Sequence, residues 1–138
     1  MSNQPSLTLF VTDNDEIFKR ILKINLVKYP LFKYVLYFDT GAPLINYLKK
    51  HYNDRSNLPD VLFLDLEMPE CSGWYVLETL KTLIDRLAKP LSVYVVSVSI
   101  IPVDIAKASS YSFVKGVLCK PLTRADLAAV SNRVEMEN

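Results

Sequence analysis

Residues 61–65 read VLFLD, four apolar side chains followed at once by the carboxylate of Asp65. A run this short and this rich in branched and aromatic residues is typical of a strand that is buried on both faces. We predict a strand over residues 60–64, with Asp65 at its carboxyl tip. A lone acid in such dry surroundings would cost free energy, so polar groups or a cation should lie beside it.

Four other segments predict strands of the same sheet. Residues 7–11 and 91–96 are short apolar runs of the same kind, and residues 34–38 and 116–119 are weaker candidates that end in polar or turn residues. Between these segments the apolar period changes to that of a helix. Five strands alternating with five helices predict an α/β fold, with a parallel sheet covered on both faces.

Apolar stripes and turn signals locate the helices. The stripes consist of Ile17, Ile21, Ile24 and Val27 in the first helix and of Leu77, Leu80, Ile84 and Leu87 in the third. A second helix is predicted over residues 43–52, and a fourth begins at Pro102, a residue suited to a first helical turn. The last helix should begin near Arg124, because Thr123 and Asp126 have the spacing of a capping box.

The composition suits one compact domain and excludes several classes of partner. The chain has 138 residues, half of them apolar, and 16 basic and 15 acidic residues leave a net charge of +1. No charge field favours nucleic acid or a membrane surface, and no apolar run reaches the roughly 18 residues of a membrane span. Cys71 and Cys119 lack a metal-site spacing and are expected to be free thiols in a reducing, cytoplasmic compartment.

Polar side chains follow four of the predicted strands. They are Asp13, Asn14 and Asp15 after the first strand, Asp65 and Glu67 after the third, Ser97 after the fourth and Lys120 after the fifth. The carboxyl ends of parallel strands meet at one edge, where open α/β sheets bind ligands. Carboxylates gathered there repel one another unless a hard cation lies among them, so we predict a Mg²⁺ site.

A carboxylate beside such a cation can act as a nucleophile. Asp65 could attack phosphorus and form an acyl phosphate if the charge on the phosphoryl oxygens is neutralised, and Mg²⁺ and Lys120 would supply that charge. The hydroxyl of Ser97 could then bond a phosphoryl oxygen, which would couple Asp65 to the loop after the fourth strand. The sequence therefore predicts a phosphorylation switch.

The ordered set of motifs resembles the receiver domain of two-component response regulators. The matching segments are FVTDNDE at residues 10–16, LDLEMP at residues 64–69 followed by Gly73, then Ser97, and Lys120-Pro121. The resemblance implies a flavodoxin-like doubly wound sheet of order 2-1-3-4-5. It also implies one receiver domain over residues 1–138, of the stand-alone type with no output domain.

The resemblance assigns the metal positions. Asp65 resembles the phosphoacceptor, Asp13 and Asn14 occupy the positions of the acidic pair, and Glu67 stands where the family offers its backbone carbonyl to Mg²⁺. Asn14 departs from the family, which has a second acid there, although an amide oxygen can still coordinate the ion. Asp15 could take part if the loop turns it inward, and it suits a helix cap equally well.

The resemblance also assigns the switch and the partners. Lys120 resembles the phosphate-contacting lysine, Ser97 the switch hydroxyl, and the bond between Lys120 and Pro121 is expected to be cis. Phosphate would come from a histidine kinase or a phosphotransfer protein, and a downstream protein would receive the signal through the fourth helix, fifth strand and fifth helix. Such a domain is not a turnover enzyme.

Two other functions fit parts of the sequence. A receiver-like interaction module that is not efficiently phosphorylated would follow from Asn14, although Asp65, Ser97 and Lys120 argue against it. The sequence Asp13-Asn14-Asp15 also resembles the nucleophile motif of haloacid-dehalogenase-type phosphatases. That chemistry needs a further acidic pair after a later strand, where this chain has Ser97.

Overall fold

A computed structural model describes residues 4–99 and 101–137. Within these residues, the strands are β1 (Thr8–Thr12), β2 (Tyr34–Phe38), β3 (Val61–Asp65), β4 (Ser92–Ser97) and β5 (Val114–Cys119). The helices are α1 (Glu16–Lys28), α2 (Gly41–His51), α3 (Gly73–Leu83), α4 (Pro102–Ser109) and α5 (Arg124–Glu137), and short 3-10 turns span Arg55–Asn57 and Ile84–Arg86. None of these helices has the length and apolar character needed to cross a membrane.

The strands form one parallel sheet in the order β2-β1-β3-β4-β5, which confirms the predicted doubly wound topology. Three strand predictions, those for β1, β3 and β4, were displaced by one residue, and β5 begins two residues earlier than predicted. In β3 the pairing with β4 continues through Asp65, which lies opposite Val96. The carboxylate therefore belongs to the last residue of the central strand rather than to the loop behind it.

Alternate residues of the strands fill two separate cores. On one face Phe10, Leu62 and Leu64 pack with α2, α3 and α4, and on the other face Leu9 and Phe63 pack with α1 and α5. All five of these side chains are at most 2% exposed. The central strands are therefore rigidly held, and their carboxyl ends provide fixed positions for polar side chains.

The helix α1 packs on the sheet through a different face from the stripe that predicted it. Ile17 and Val27 are 73% and 78% exposed, and Ile21 and Ile24 are about half exposed. The adjacent stripe of Phe18, Leu22 and Leu26 is buried instead. Two parallel apolar stripes have the same period, so periodicity identifies the helix without identifying the face that packs.

The start of α5 has the predicted capping box. The backbone N–H of Thr123 donates to Oδ2 of Asp126 at 2.9 Å, and the N–H of Asp126 donates to the hydroxyl of Thr123 at 3.1 Å. Leu122 and Leu127 are both buried in the core beneath α1 and α5. These contacts fix where the chain leaves β5, and so they position Lys120 and Pro121 at the sheet edge.

Candidate functional site

Asp65 lies at the carboxyl edge of the sheet, between the ends of β1 and β4. The connections from β1 and β3 run to opposite sides at this point, which is where doubly wound sheets open a crevice. The residue is only 6% exposed, and its Oδ1 accepts a hydrogen bond from the backbone N–H of Glu67 at 3.1 Å. Its Oδ2 faces the ammonium of Lys120 at 3.8 Å.

Asp13 follows β1 directly and is 1% exposed. Its backbone N–H donates to the carbonyl of Phe38 at 3.0 Å, which ties the residue to the end of β2. Its Oδ1 accepts from the N–H of Asp15 at 2.9 Å. Its Oδ2 is buried and accepts no hydrogen bond of good geometry, and the ammonium of Lys120 lies 2.7 Å away as its charge partner.

Lys120 follows β5 and brings its ammonium into the midst of the acids. Its backbone N–H donates to the carbonyl of Ser97 at 2.9 Å, so the end of β5 is bonded to the end of β4. The ammonium lies within 4 Å of carboxylate oxygens of Asp13, Asp65 and Asp15. The peptide bond between Lys120 and Pro121 is cis, as the resemblance predicts.

The carboxylates of Asp13 and Asp65 carry more negative charge than the ammonium of Lys120 neutralises. Burial and, next to it, the adjacent carboxylate of Asp13 raise the pKa of Asp65 to about 6, against the opposing effects of the N–H of Glu67 and the charge of Lys120. One ammonium therefore does not fully offset two carboxylates in a dry pocket. Further positive charge would stabilise the ionised form of Asp65.

The loop between β3 and α3 must pass close to Asp65. The N–H of Gly73 donates to the carbonyl of Leu66 at 3.0 Å. A Cβ atom on Gly73 would lie 2.6 Å from the Cα of Leu66 and would also overlap the carbonyl oxygen of Asp65. Only glycine permits this approach of backbone to backbone. Glu70 in the same loop has a φ of 66°, a conformation that costs free energy in a residue other than glycine.

Ser97 and Asn14 lie at the same edge without bonding to Asp65. Ser97 is buried, and its hydroxyl donates to the carbonyl of Ser99 at 3.1 Å and accepts from the N–H of Ser99 at 3.3 Å. Asn14 is exposed in the loop after β1, and the side chain of Glu67 is exposed as well. The structure thus joins Asp13, Asp65 and Lys120 most closely, while the hydroxyl of Ser97 bonds within its own loop.

Asp15 has both of the positions that its sequence context allowed. Its Oδ1 accepts from the N–H groups of Ile17 and Phe18 at 3.1 and 3.0 Å, which confirms it as the cap of α1. Its Oδ2 points toward the ammonium of Lys120 at 3.9 Å. The cap of α1 is therefore also part of the charged site.

Sequence reasoning missed two side chains of α1. Lys19 is buried and forms ion pairs with Glu16 and Asp39, although a lysine in an amphipathic helix is expected in solvent. The ring of Phe18 faces the ammonium of Lys120, with 4.5 Å between the nitrogen and the ring centroid. The signal available for Phe18 was its place in the second apolar stripe of α1.

Both cysteines are free, as expected from their spacing. Cys119 is exposed at the end of β5. Cys71, in the loop near the site, is buried, and burial raises the pKa of its thiol. The loop folds inward over Gly41, which removes Cys71 from solvent and disfavours its oxidation.

An apolar cavity opens beside the site. Its volume is about 200 Å³, and its walls include Phe18, Ile21, Val98, Lys120 and Pro121. The cavity leads from the exposed stripe of α1 to the stem of Lys120. Within the described residues, His, Cys, Asp and Glu side chains form no cluster of three or more that is arranged to hold a metal.

The fold matches that of solved receiver domains. A two-component response regulator from Cytophaga hutchinsonii has a TM-score of 0.83 at 23% identity, covering 96% of this chain and 99% of that chain. The signal receiver domain of NarL from Mycobacterium tuberculosis has a TM-score of 0.75 at 23% identity, covering 96% and 98%. The chemotaxis protein CheY4 of Vibrio cholerae has a TM-score of 0.73 at 15% identity, covering 93% and 98%.

The chain therefore has the fold of a response-regulator receiver domain. No family model matches the chain, and no curated protein matches it at a significant level. The likeness to known proteins is carried by the tertiary structure.

Proposed function

We propose that this protein is the phosphoacceptor receiver of a two-component phosphorelay, with Asp65 as the residue that takes the phosphoryl group. The observation that carries the proposal is the convergence of three strand ends, which places the ammonium of Lys120 2.7 Å from Asp13 and 3.8 Å from Asp65. An ammonium beside a nucleophilic carboxylate is the arrangement that phosphoryl transfer to an acid requires.

The transfer forms one bond and breaks one bond. An oxygen of ionised Asp65 attacks phosphorus, the bond from phosphorus to the donor atom breaks, and the donor leaves with that electron pair. A carboxyl group with a pKa of about 6 is mostly ionised near pH 7, so the nucleophile is present. Lys120 then neutralises charge on the phosphoryl oxygens.

The residues present fit a divalent cation. Burial and the neighbouring carboxylate of Asp13 raise the pKa of Asp65, so added positive charge would favour its ionised form. The carboxylates of Asp13 and Asp65 would hold Mg²⁺, with the amide oxygen of Asn14 and the backbone carbonyl of Glu67 as further oxygen ligands. The bound ion would supply charge neutralisation for the transferring group.

Ser97 couples the phosphorylated state to the surface. Its hydroxyl bonds to Ser99, in the loop that leads to α4. A phosphoryl group on Asp65 would offer that hydroxyl a charged acceptor, and charge-assisted hydrogen bonds are about twice as strong as neutral ones. The loop would shift as Ser97 turns, and α4 and β5 would present a changed surface to a downstream protein.

The phosphodonor we propose is a histidine kinase or a phosphotransfer protein in the cytoplasm. The exposed stripe of Ile17, Ile21 and Ile24 leads through the apolar cavity to Lys120, so a protein that covers the stripe would reach the site. Arg20 and Lys23 lie exposed on the same helix. Their charges disfavour a second copy of this helix as the occupant and favour a partner with acidic flanks.

The chain would act once per phosphorylation rather than as a turnover enzyme. The alternative is an interaction module that is not efficiently phosphorylated, which the exposed and uncharged Asn14 favours. The two proposals share the fold and differ in whether Asp65 takes phosphate.

Intact mass separates the two proposals. The protein is incubated with Mg²⁺ and a small acyl phosphate, with Asp65→Asn as the blank. Addition of one phosphoryl mass to the native chain alone supports the phosphoacceptor. No addition to the native chain, together with addition to Asn14→Asp, would establish the alternative.

A further inference from the structure

The ammonium of Lys120 is held from two sides by different chemistry. Oδ2 of Asp13 lies 2.7 Å away, and the centroid of the Phe18 ring lies 4.5 Å away. The side chain of Lys120 is 8% exposed and Phe18 is 8% exposed, so water has little access to the contact. A cation within about 6 Å of a ring face is attracted by the ring, and more strongly when both are desolvated.

An aromatic ring is suited to position a lysine whose ammonium must also bind another group. The lysine stem has four flexible carbons, so an ammonium without restraint samples many positions. A hydrogen-bond acceptor would restrain the ammonium by occupying one of its three donors. The ring of Phe18 accepts no conventional hydrogen bond, so it restrains the ammonium without occupying one of its donors.

Asp15, which belongs to the charged site, helps to position Phe18. The N–H of Phe18 donates to Oδ1 of Asp15 at 3.0 Å, and Oδ2 of the same carboxylate lies 3.9 Å from the ammonium of Lys120. Phe18 also packs in the buried core with Leu22 and Leu122. A capped helix and a packed core thus hold the ring in one position, as a positioning group requires.

We propose that Phe18 is a positioning residue for phosphoryl transfer, whose ring face holds the ammonium of Lys120 beside the carboxylates of Asp13 and Asp65. This inference rests on the proposed function and deepens it, because it adds an apolar residue of α1 to a site otherwise made of strand-end polar groups. Phe18 would act through Lys120, whose ammonium its ring faces, rather than by binding a phosphoryl group or a metal itself.

The first experiment compares the rates at which a small acyl phosphate phosphorylates Asp65 in matched variants. Phe18→Leu removes the ring face and keeps an apolar side chain, and Phe18→Tyr keeps the ring face. Phe32→Leu is the control, since Phe32 is equally buried in the same core and lies at the opposite edge of the sheet.

We expect Phe18→Leu to lower the rate by roughly threefold to tenfold, which lies between the strengths of an exposed and a fully desolvated cation–π contact. Phe18→Tyr and Phe32→Leu should remain within about twofold of the native rate. In a Lys120→Met background, Phe18→Leu should cause no further loss. An equal loss in Phe18→Leu and Phe32→Leu, or a further loss in the Lys120→Met background, would overturn the positioning role.

The second experiment needs neither metal nor phosphate. The unfolding equilibrium constants of the native chain, Phe18→Leu, Lys120→Met and the double variant are measured without divalent cations. A coupling of roughly threefold to tenfold between the two substitutions is expected. Additive effects would contradict the contact.

The two experiments distinguish the two proposals. If the native chain takes no phosphate and the coupling is present, the proposed function fails while Phe18 still positions Lys120. If the native chain takes phosphate, but Phe18→Leu neither lowers the rate nor shows coupling to Lys120→Met, the proposed function is supported and the positioning role of Phe18 is rejected.

Discussion

The ammonium of Lys120 lies 2.7 Å from Oδ2 of Asp13, more than an ångström closer than it lies to Oδ2 of Asp65. In this arrangement Lys120 chiefly neutralises Asp13, the acid that would bind a cation. It neutralises Asp65, the acid that would take phosphate, to a lesser extent. A divalent ion bound by Asp13 would compete with Lys120 for the same charge. The metal and the lysine are therefore coupled through Asp13.

That coupling predicts the effect of removing the lysine. Lys120→Met leaves two buried carboxylates without their partner, and we expect a loss of about 3 kcal/mol or more in the free energy of unfolding without divalent cations. Adding Mg²⁺ should recover more stability in the variant than in the native chain. Urea denaturation with and without Mg²⁺ measures both effects.

Lys89→Met is the matched control for this prediction. Lys89 forms a similarly buried ion pair with Asp60 at 3.3 Å and donates to the carbonyl of Leu58 at 2.9 Å, at the opposite edge of the sheet. Its variant should lose stability that Mg²⁺ does not restore. Equal recovery in both variants would contradict a metal site at Asp13.

The raised pKa of Asp65 predicts a dependence of stability on pH. Its ordinary value is 3.8 and its value in the fold is about 6, so the folded state holds the proton more tightly than the unfolded state. The associated stability is present at low pH and is lost as pH rises from about 4 through 6. Asp65→Asn removes this loss and should be more stable than the native chain near pH 7, by about 1 kcal/mol after allowance for screening.

Denaturation curves of both chains from pH 4 to pH 7 test this dependence. The difference in the free energy of unfolding between Asp65→Asn and the native chain should disappear near pH 4. At pH 7 it should become smaller when Mg²⁺ is added. A native chain as stable as Asp65→Asn near pH 7 without divalent cations would show that the acids are already neutralised.

The raised pKa of Tyr111 predicts a second dependence of stability on pH, at high pH. Burial raises its pKa to about 12, and a hydrogen bond to the carboxylate of Glu78 contributes. Because this pKa exceeds the ordinary value of 10.0, the stability it represents is complete below pH 10 and is lost as pH rises through 12. Tyr111→Phe should lose less stability over that range, which denaturation at pH 9 and pH 11 would show.

Gly73 predicts a strict requirement for glycine next to Asp65. In Gly73→Ala the new Cβ meets backbone atoms of Asp65 and Leu66, which cannot move independently of the strand, so a loss of about 2 kcal/mol or more is expected. Gly116→Ala is the control, because its Cβ would meet only ring atoms of Tyr94 at 3.2 Å. Similar losses in the two variants would argue against a close backbone approach at Gly73.

The two apolar stripes of α1 predict opposite results for substitutions of similar size. Leu22 is 2% exposed, and Leu22→Ala should cost about 3 kcal/mol in the free energy of unfolding. Ile24 is 59% exposed, and Ile24→Ala should change that free energy by less than about 0.5 kcal/mol. Thermal or urea denaturation would detect a reversal, which would mean that α1 packs through its other face.

Much of the fold and of the site could be predicted because the signals are local. The run before Asp65 is apolar at every position, as burial of both faces of a central strand requires, and alternation with helical periods leaves a parallel sheet as the solution. The strand ends of such a sheet meet at one edge, so Asp13, Asp65 and Lys120 could be assigned to one site before any distance was known. The capping box at Thr123 was equally local.

The rest depended on which surfaces meet, and no local pattern carries that information. The period of α1 fits two stripes, and only the packing of Phe18, Leu22 and Leu26 against the sheet selects between them. The same packing turns the ring of Phe18 toward Lys120.

The amino-acid sequence by itself determined the order of the elements and the polar groups at the strand ends, since both follow from short-range burial and turn preferences. Only the tertiary structure decided which face of α1 is left exposed, that Cys71 is buried and Cys119 exposed, and that Asp13 rather than Asp65 lies closest to the ammonium. These outcomes depend on contacts between residues distant in the chain, and their free energies arise only when the elements pack together.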